Sequence, residues 1–293
     1  MNGTSDSQAG AAERGDERRD PGPLPLPNTR PRDAELADAE LRGALASELI
    51  QARYQPIVRM SDGRPVGLEV LARLEHPSHG TMSPDNFVPP MEDAGLAWSL
   101  TDEIMRRAFA DWSGSRLESL DLTLALNMPL DVLLIPAALT ALERDRAAAG
   151  IPASRVVIEL TESRPIIRLP EIREATKVLR GLGYGLAIDD VGPKIRDHTP
   201  LLDLDFTSLK LDRELVQLAA TDPYNASFLK QAITAARRAG LKLVAEGVED
   251  EATWARMLAL GVDYVQGYLV SKPLAAPEVL PWYRGWCDRP MPG

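Results

Sequence analysis

Short, continuous apolar runs alternate along the chain with longer stretches in which apolar residues recur at helical spacing. The runs are 54–60, 65–71, 122–127, 156–160, 186–190, 206–211, 241–245 and 264–270, each bounded by turn residues. Each is read as a strand. Between most of them lie amphipathic stretches with helix signals, at 98–112, 136–149, 170–180, 227–238 and 251–260. A further one at 34–50 precedes the first run and spaces Leu36, Leu41, Leu45, Leu49 and Ile50 along one helix. Gly150, Gly181, Gly240 and Gly261 follow four of these segments, as glycine commonly does just past a last helical turn. Strands alternating with helices predict parallel strands joined by crossovers. Unbroken apolar runs predict strands buried on both faces. An open doubly wound sheet and a closed α/β barrel both satisfy this pattern. No glycine-rich phosphate loop follows a strand, which argues against a Rossmann or P-loop domain.

The strands carry polar residues where they should end. Glu69 follows Val66-Gly67-Leu68, Asn127 follows Leu124-Ala125-Leu126, and Glu159 follows Val156-Val157-Ile158. Asp189-Asp190 follow Leu186-Ala187-Ile188, Lys210 follows Leu209, Glu246 follows Leu243-Val244-Ala245, and Gln266 follows Tyr264-Val265. One acidic residue at a strand end is ordinarily a helix cap or a solvated loop residue. Repetition at successive strand ends points elsewhere, because the C-terminal ends of barrel strands converge on one face, where active sites lie. Carboxylates meeting there would repel one another by several kcal/mol at low effective dielectric, so divalent cations are their natural counterions. An all-oxygen donor set with an asparagine carbonyl favours Mg2+ or Mn2+ over zinc. His76, His79 and His198 lie off these strand ends, which also disfavours zinc. Adjacent Asp189 and Asp190 suit a two-metal site, which needs a bridging carboxylate beside a second ligand. Lys210 is suited to orienting a nucleophilic water or balancing phosphate charge.

Composition narrows the setting. The chain has 293 residues, 44% of them hydrophobic, and a formal charge of −10. That length suits one barrel domain, and the acidic balance argues against nucleic acid as a partner. Residues 1–33 are rich in Gly, Pro, Ser, Asp and Arg and are expected to form a disordered tail. The folded domain is expected over 34–285, with 286–293 as a C-terminal tail. Cys287 is the only cysteine, which excludes an intrachain disulfide and suits the cytoplasm. The polar N-terminus has no signal core, and the apolar stretch 122–139 is interrupted by Asn127, Pro129, Asp131 and Pro136, so no membrane span is expected.

At this point the residues resemble the EAL-domain family of cyclic di-GMP phosphodiesterases over about 40–280. The resemblance rests on Tyr54-Gln55-Pro56-Ile57, Glu69-Val70-Leu71 with Arg73, Asn127, Glu159-Leu160-Thr161-Glu162 and Asp189-Asp190. It continues through Lys210-Leu211-Asp212, Ala245-Glu246-Gly247-Val248-Glu249, Gln266-Gly267-Tyr268 and Lys272-Pro273-Leu274. It implies a TIM-like (β/α)8 barrel of EAL type. It also implies that Glu69, Asn127, Glu159 and Asp189 ligate one of two Mg2+ or Mn2+ ions, with Asp189 bridging to the second and Asp190 as a further ligand. By the same resemblance Glu246 sits by the second metal or acts as general base, and Lys210 holds the attacking water. Gln55, Arg73 and Gln266 contact the ligand, and Glu162 anchors the loop after the aspartate pair. The implied reaction opens one phosphodiester bond of cyclic di-GMP to give linear pGpG. A homodimer is implied by resemblance alone.

One segment departs from the family pattern. Where active members carry F-G-x-G-x-S-S, this chain reads Val191-Gly192-Pro193-Lys194-Ile195-Arg196-Asp197-His198. The serine usual two residues after Asn127 is replaced by Pro129. Weakened activity, or dependence on a regulatory protein partner, is expected from this. A non-catalytic cyclic di-GMP receptor or protein-interaction module is the alternative function, and an unrelated metal-dependent barrel enzyme a third.

Overall fold

The structure is a computed structural model and describes residues 36, 38–161, 168–192 and 204–290. Eight strands close into a ring: β1 (Ile50–Arg59), β2 (Pro65–His76), β4 (Thr123–Pro129), β5 (Val156–Thr161), β6 (Gly185–Val191), β7 (Ser208–Leu211), β8 (Lys242–Ala245) and β9 (Tyr264–Val265). Their order is β1-β9-β8-β7-β6-β5-β4-β2, and pairing of β1 with β2 shuts the barrel. The short β3 (Gly80–Met82) lies outside the ring on the far part of β2. The closed barrel, rather than the open sheet, is therefore the architecture.

Not every strand is parallel. β2 through β9 run parallel around the ring, but β1 is antiparallel to both neighbours, β2 and β9. The cause is local. Only five residues separate β1 from β2, and Gly63 N–H donates to Arg59 O at 2.8 Å to make a tight turn. A hairpin reverses direction, whereas a parallel pair would need a crossover of a dozen or more residues. The parallel expectation fails at β1 for that reason.

The helices include α1 (Asp38–Ala46), α2 (Pro84–Asp93), α3 (Ala97–Gly114), α4 (Leu130–Leu133), α5 (Pro136–Ala148) and α6 (Leu169–Leu182). They continue with α7 (Arg213–Leu218), α8 (Pro223–Arg238), α9 (Glu251–Ala259) and α10 (Ala276–Cys287). The first is shorter than the 34–50 periodicity predicted, because the end of that stretch, from Ile50, enters β1. α6 runs through Gly181, and Gly183, at φ 99°, ends it in the left-handed region that glycine adopts without a side-chain clash. β9 is shorter than the 264–270 run. α2, α4, α7 and α10 escaped the hydrophobic reading. α2 had a usable signal in Ser83-Pro84, a cap-type residue followed by proline in the first turn.

A continuous apolar core fills the barrel and its helix layer, including Val58, Leu68, Leu124, Ile158, Leu186, Leu209, Leu243 and Val265. Burial of the parallel strands on both faces is as the unbroken apolar runs predict. Among the described residues, no helix is long and apolar enough to cross a membrane.

Candidate metal centre

The polar residues at the strand ends meet in one place. Glu69 stands on β2, Asn127 on β4, Glu159 on β5, Asp189 and Asp190 on β6, and Lys210 on β7. Glu246 and Gln266 directly follow β8 and β9. Glu69, Asn127, Asp189, Asp190, Glu246 and Gln266 line a cleft of about 540 Å³, together with Gln55 and Arg73. Glu159 and Lys210 do not line it. They are buried behind it and joined to it by ion pairs. Glu162 and the altered segment from Pro193 onward, with His198, lie outside the described residues. His76 does end β2, contrary to expectation, but β2 continues well past Glu69 into the hairpin with β3, so His76 is remote from the acidic cluster along its strand.

Lys210 organises the centre. Its ammonium is 2.7 Å from Glu246 Oε1, 2.9 Å from Glu159 Oε2, 3.0 Å from Asp189 Oδ1 and 3.4 Å from Glu69 Oε1. Only 1% of its side chain is exposed. Burial alone would lower the Lys210 pKa, but the four carboxylates more than offset this and hold it well above the usual lysine range. Burial also pushes the Glu159 and Asp189 carboxyls upward. Glu69 goes the other way: burial would raise it, but Lys210, Gln266 and Asn127 stabilise its charged form. Burial raises Asp190 to about 7, helped by the charge on Asp189, and raises Glu246 to about 8.

Among the described residues, two groupings of carboxylates could hold a cation. Glu69, Glu159 and Asp189 offer oxygens within 4.8 Å of one another, and so do Asp189, Asp190 and Glu246. Asp189 belongs to both. Successive side chains of a regular strand face opposite ways, so consecutive aspartates should not share a site. A register irregularity between Ile188 and Val191 and a left-handed backbone at Asp190 (φ 54°) break that alternation. Aspartate is among the few non-glycine residues that enter this region readily.

The donor set fits a hard divalent cation. It is all oxygen, and the carboxylates gathered there face a single buried ammonium, Lys210, so negative charge is in excess. Asn127 Nδ2 donates to Glu69 Oε1 at 3.1 Å, which leaves the asparagine carbonyl free to coordinate.

The cleft has walls that the strand-end pattern did not reveal. Asp85 of α2, Arg213 of α7, Glu249 and Tyr268 all line it. Arg213 Nη2 pairs with Glu249 Oε1 at 2.6 Å, and Arg213 and Lys272 lie 5.8 and 5.7 Å from the centre of the half-exposed Tyr268 ring. Gly267 is forced by close approach. A Cβ there would stand 2.1 Å from the Val248 carbonyl oxygen, so any side chain would push apart the backbones that set Gln266 in place.

Comparison with known proteins agrees with this geometry. A family model described as the EAL domain matches residues 38–273. The cyclic di-GMP phosphodiesterase RocR of Pseudomonas aeruginosa is 30% identical over 263 residues, which cover 87% of this chain and 66% of that protein. The cyclic di-GMP phosphodiesterase NbdA of the same organism is 32% identical over 251 residues, covering 84% of this chain and 32% of that protein. The chain thus spans less than two thirds of the length of these curated relatives. Among solved structures, the PaMucR phosphodiesterase in complex with c-di-GMP superposes with a TM-score of 0.73 at 28% identity, covering 82% of this chain and 98% of that one.

Proposed function

The chain belongs to the EAL domain family, and from that premise we propose that it hydrolyses cyclic di-GMP to linear pGpG with the aid of Mg2+ or Mn2+. The observation that carries this reading is the position of Asp189, common to two carboxylate groupings on the wall of one cleft. The relatives named as cyclic di-GMP phosphodiesterases support the substrate.

In this reading Glu69, Asn127, Glu159, Asp189 and Asp190 hold the cations, which number two. Bound cations would acidify the attacking water and neutralise charge on the phosphoryl oxygens. The chain's own groups do the rest. Lys210, fixed by its carboxylates, positions the water. Glu246 accepts the water proton as the new P–O bond forms, the bond to the ribose 3′ oxygen breaks, and the proton returns from Glu246 through solvent to that oxygen, which leaves as a hydroxyl. Arg73 is half-buried in the cleft wall and supplies a fixed positive charge to the ligand phosphates. The reading takes 34–285 as the catalytic unit, in the cytoplasm, with a homodimer and a regulatory partner acting through the altered segment or the tail.

The second reading is a receptor that binds cyclic di-GMP without turnover. The departure at 191–198 favours it. Incubation with cyclic di-GMP and Mg2+ or Mn2+ separates the two. Appearance of pGpG supports the enzyme; tight binding with no pGpG rejects it.

A pH dependence follows from the raised acids. In the metal-free protein Asp190 and Glu246 hold protons below about 7 and 8, and a cation held by Asp190 must displace the first of these. Apparent Mn2+ affinity is therefore expected to rise about 10-fold between pH 6 and pH 8 through Asp190. The sign for stability is opposite. The folded state holds more protons than the unfolded chain between the ordinary carboxylate range and about pH 8, so metal-free stability falls as pH rises through that window. Titration calorimetry with Mn2+ at the two pH values checks this, and a flat affinity would remove Asp190 from the metal site.

A further inference from the structure

We infer that Gln55 and Gln266 form a relay that orients the Glu69 carboxylate, so that Gln55 is a positioning residue that acts on Glu69 through Gln266. This rests on the reading above in one respect, that Glu69 is a metal ligand.

The hydrogen bonds run in one direction. Gln55 Nε2 donates to the Ser271 carbonyl at 3.1 Å, which fixes which way the Gln55 amide faces. Its oxygen, Oε1, then accepts from Gln266 Nε2 at 3.0 Å. The same Gln266 nitrogen donates to Glu69 Oε2. Both partners of Gln266 Nε2 are pure acceptors, so the Gln266 amide has one workable orientation too. Gln55 and Gln266 are buried, at 8% and 4% exposure, and Gln55 lies opposite Glu69 in the β1–β2 register.

The other Glu69 oxygen is held separately. Asn127 donates to Oε1, and Lys210 stands 3.4 Å from it. Glu69 is therefore fixed at both oxygens, from β4 and β7 on one side and from β9 and β1 on the other. Gln55 has one N–H and one oxygen lone pair engaged with protein groups, which is enough to hold its amide in one orientation. Gln266 keeps one buried atom without a partner, Oε1, and it lines the cleft. That oxygen is left to accept a hydrogen bond from a ligand N–H or O–H.

Partners that orient a ligating carboxylate are worth about 10- to 100-fold in metal affinity. The experiment uses the full chain with Gln55→Met, Gln266→Met and the double variant, and Mn2+ alone as the probe by calorimetry. Gln55→Met is expected to weaken Mn2+ binding about 10-fold. The double variant is expected to bind Mn2+ no more weakly than Gln266→Met, because Gln55 acts only through Gln266. Unchanged Mn2+ affinity in Gln55→Met, or losses that multiply in the double variant, would overturn the relay. If the unmodified chain binds no Mn2+, the metal reading falls, and urea unfolding midpoints decide the relay alone. Shifts smaller in the double variant than the sum of the single shifts support it, and additive shifts sink it.

Discussion

Glu69→Ala is expected to lower cyclic di-GMP turnover by about 1000-fold or more, equivalent to about 4 kcal/mol of transition-state stabilisation. Glu69 is buried, belongs to one of the two carboxylate groupings, and is held at both oxygens. Removing it takes away a ligand and leaves the donors of Asn127 and Gln266 facing empty space. Glu69→Gln is the sharper variant, since it keeps the volume but loses the charge and presents an amide to two donors. Turnover of both should fall to background while their circular dichroism spectra match the unmodified chain. Measurable pGpG production by a folded Glu69→Ala variant would remove Glu69 from the metal site.

Lys210→Met is expected to destabilise the metal-free protein by about 3 to 5 kcal/mol, the range for breaking a buried ion pair from one side. Four carboxylates within 3.4 Å of one fully buried ammonium would lose their common cation. The sign with pH can be stated. The Lys210 pKa is raised, so its stabilisation is complete at all pH values below the ordinary lysine range and fades only above it. The carboxylates that remain in the variant would accept protons to relieve their repulsion, so the loss should be largest near pH 8 and shrink towards pH 5. Mn2+ should restore part of it by supplying the missing positive charge. Urea unfolding with and without chelator at the two pH values tests this. Equal stability of variant and unmodified chain in chelator would mean that the lysine contributes nothing to holding the acids together. A loss insensitive to Mn2+ and pH would assign the effect to packing.

The residues of the site were legible one at a time, because an acid or lysine ending an apolar strand breaks the local pattern. Glu69, Glu159, Asp189 and Lys210 stand out that way, and the match of residues 38–273 to the EAL domain agrees with the motifs that contain them. Gln55 is different. It lies within an apolar run of β1, and only its motif marked it. Arg213 and Asp85 sit on or beside helix starts, where charged residues are ordinary, so nothing in their local sequence distinguished them. The residues from 193 to 203 lie outside the described structure, so the expectation of weakened turnover rests on sequence alone.

By itself the sequence determined the alternation of buried strands and amphipathic helices and the strand ends where chemistry collects, because both are local burial patterns written in residue order. Tertiary structure decided the rest. It reversed β1 through a short turn, closed the ring by joining β1 to β2 and β9, placed both Asp189 and Asp190 in one cleft by a bulge, and set Gln55 against Gln266. Those outcomes depend on pairings between distant segments, and hydrophobic periodicity carries no information about which strand edge meets which.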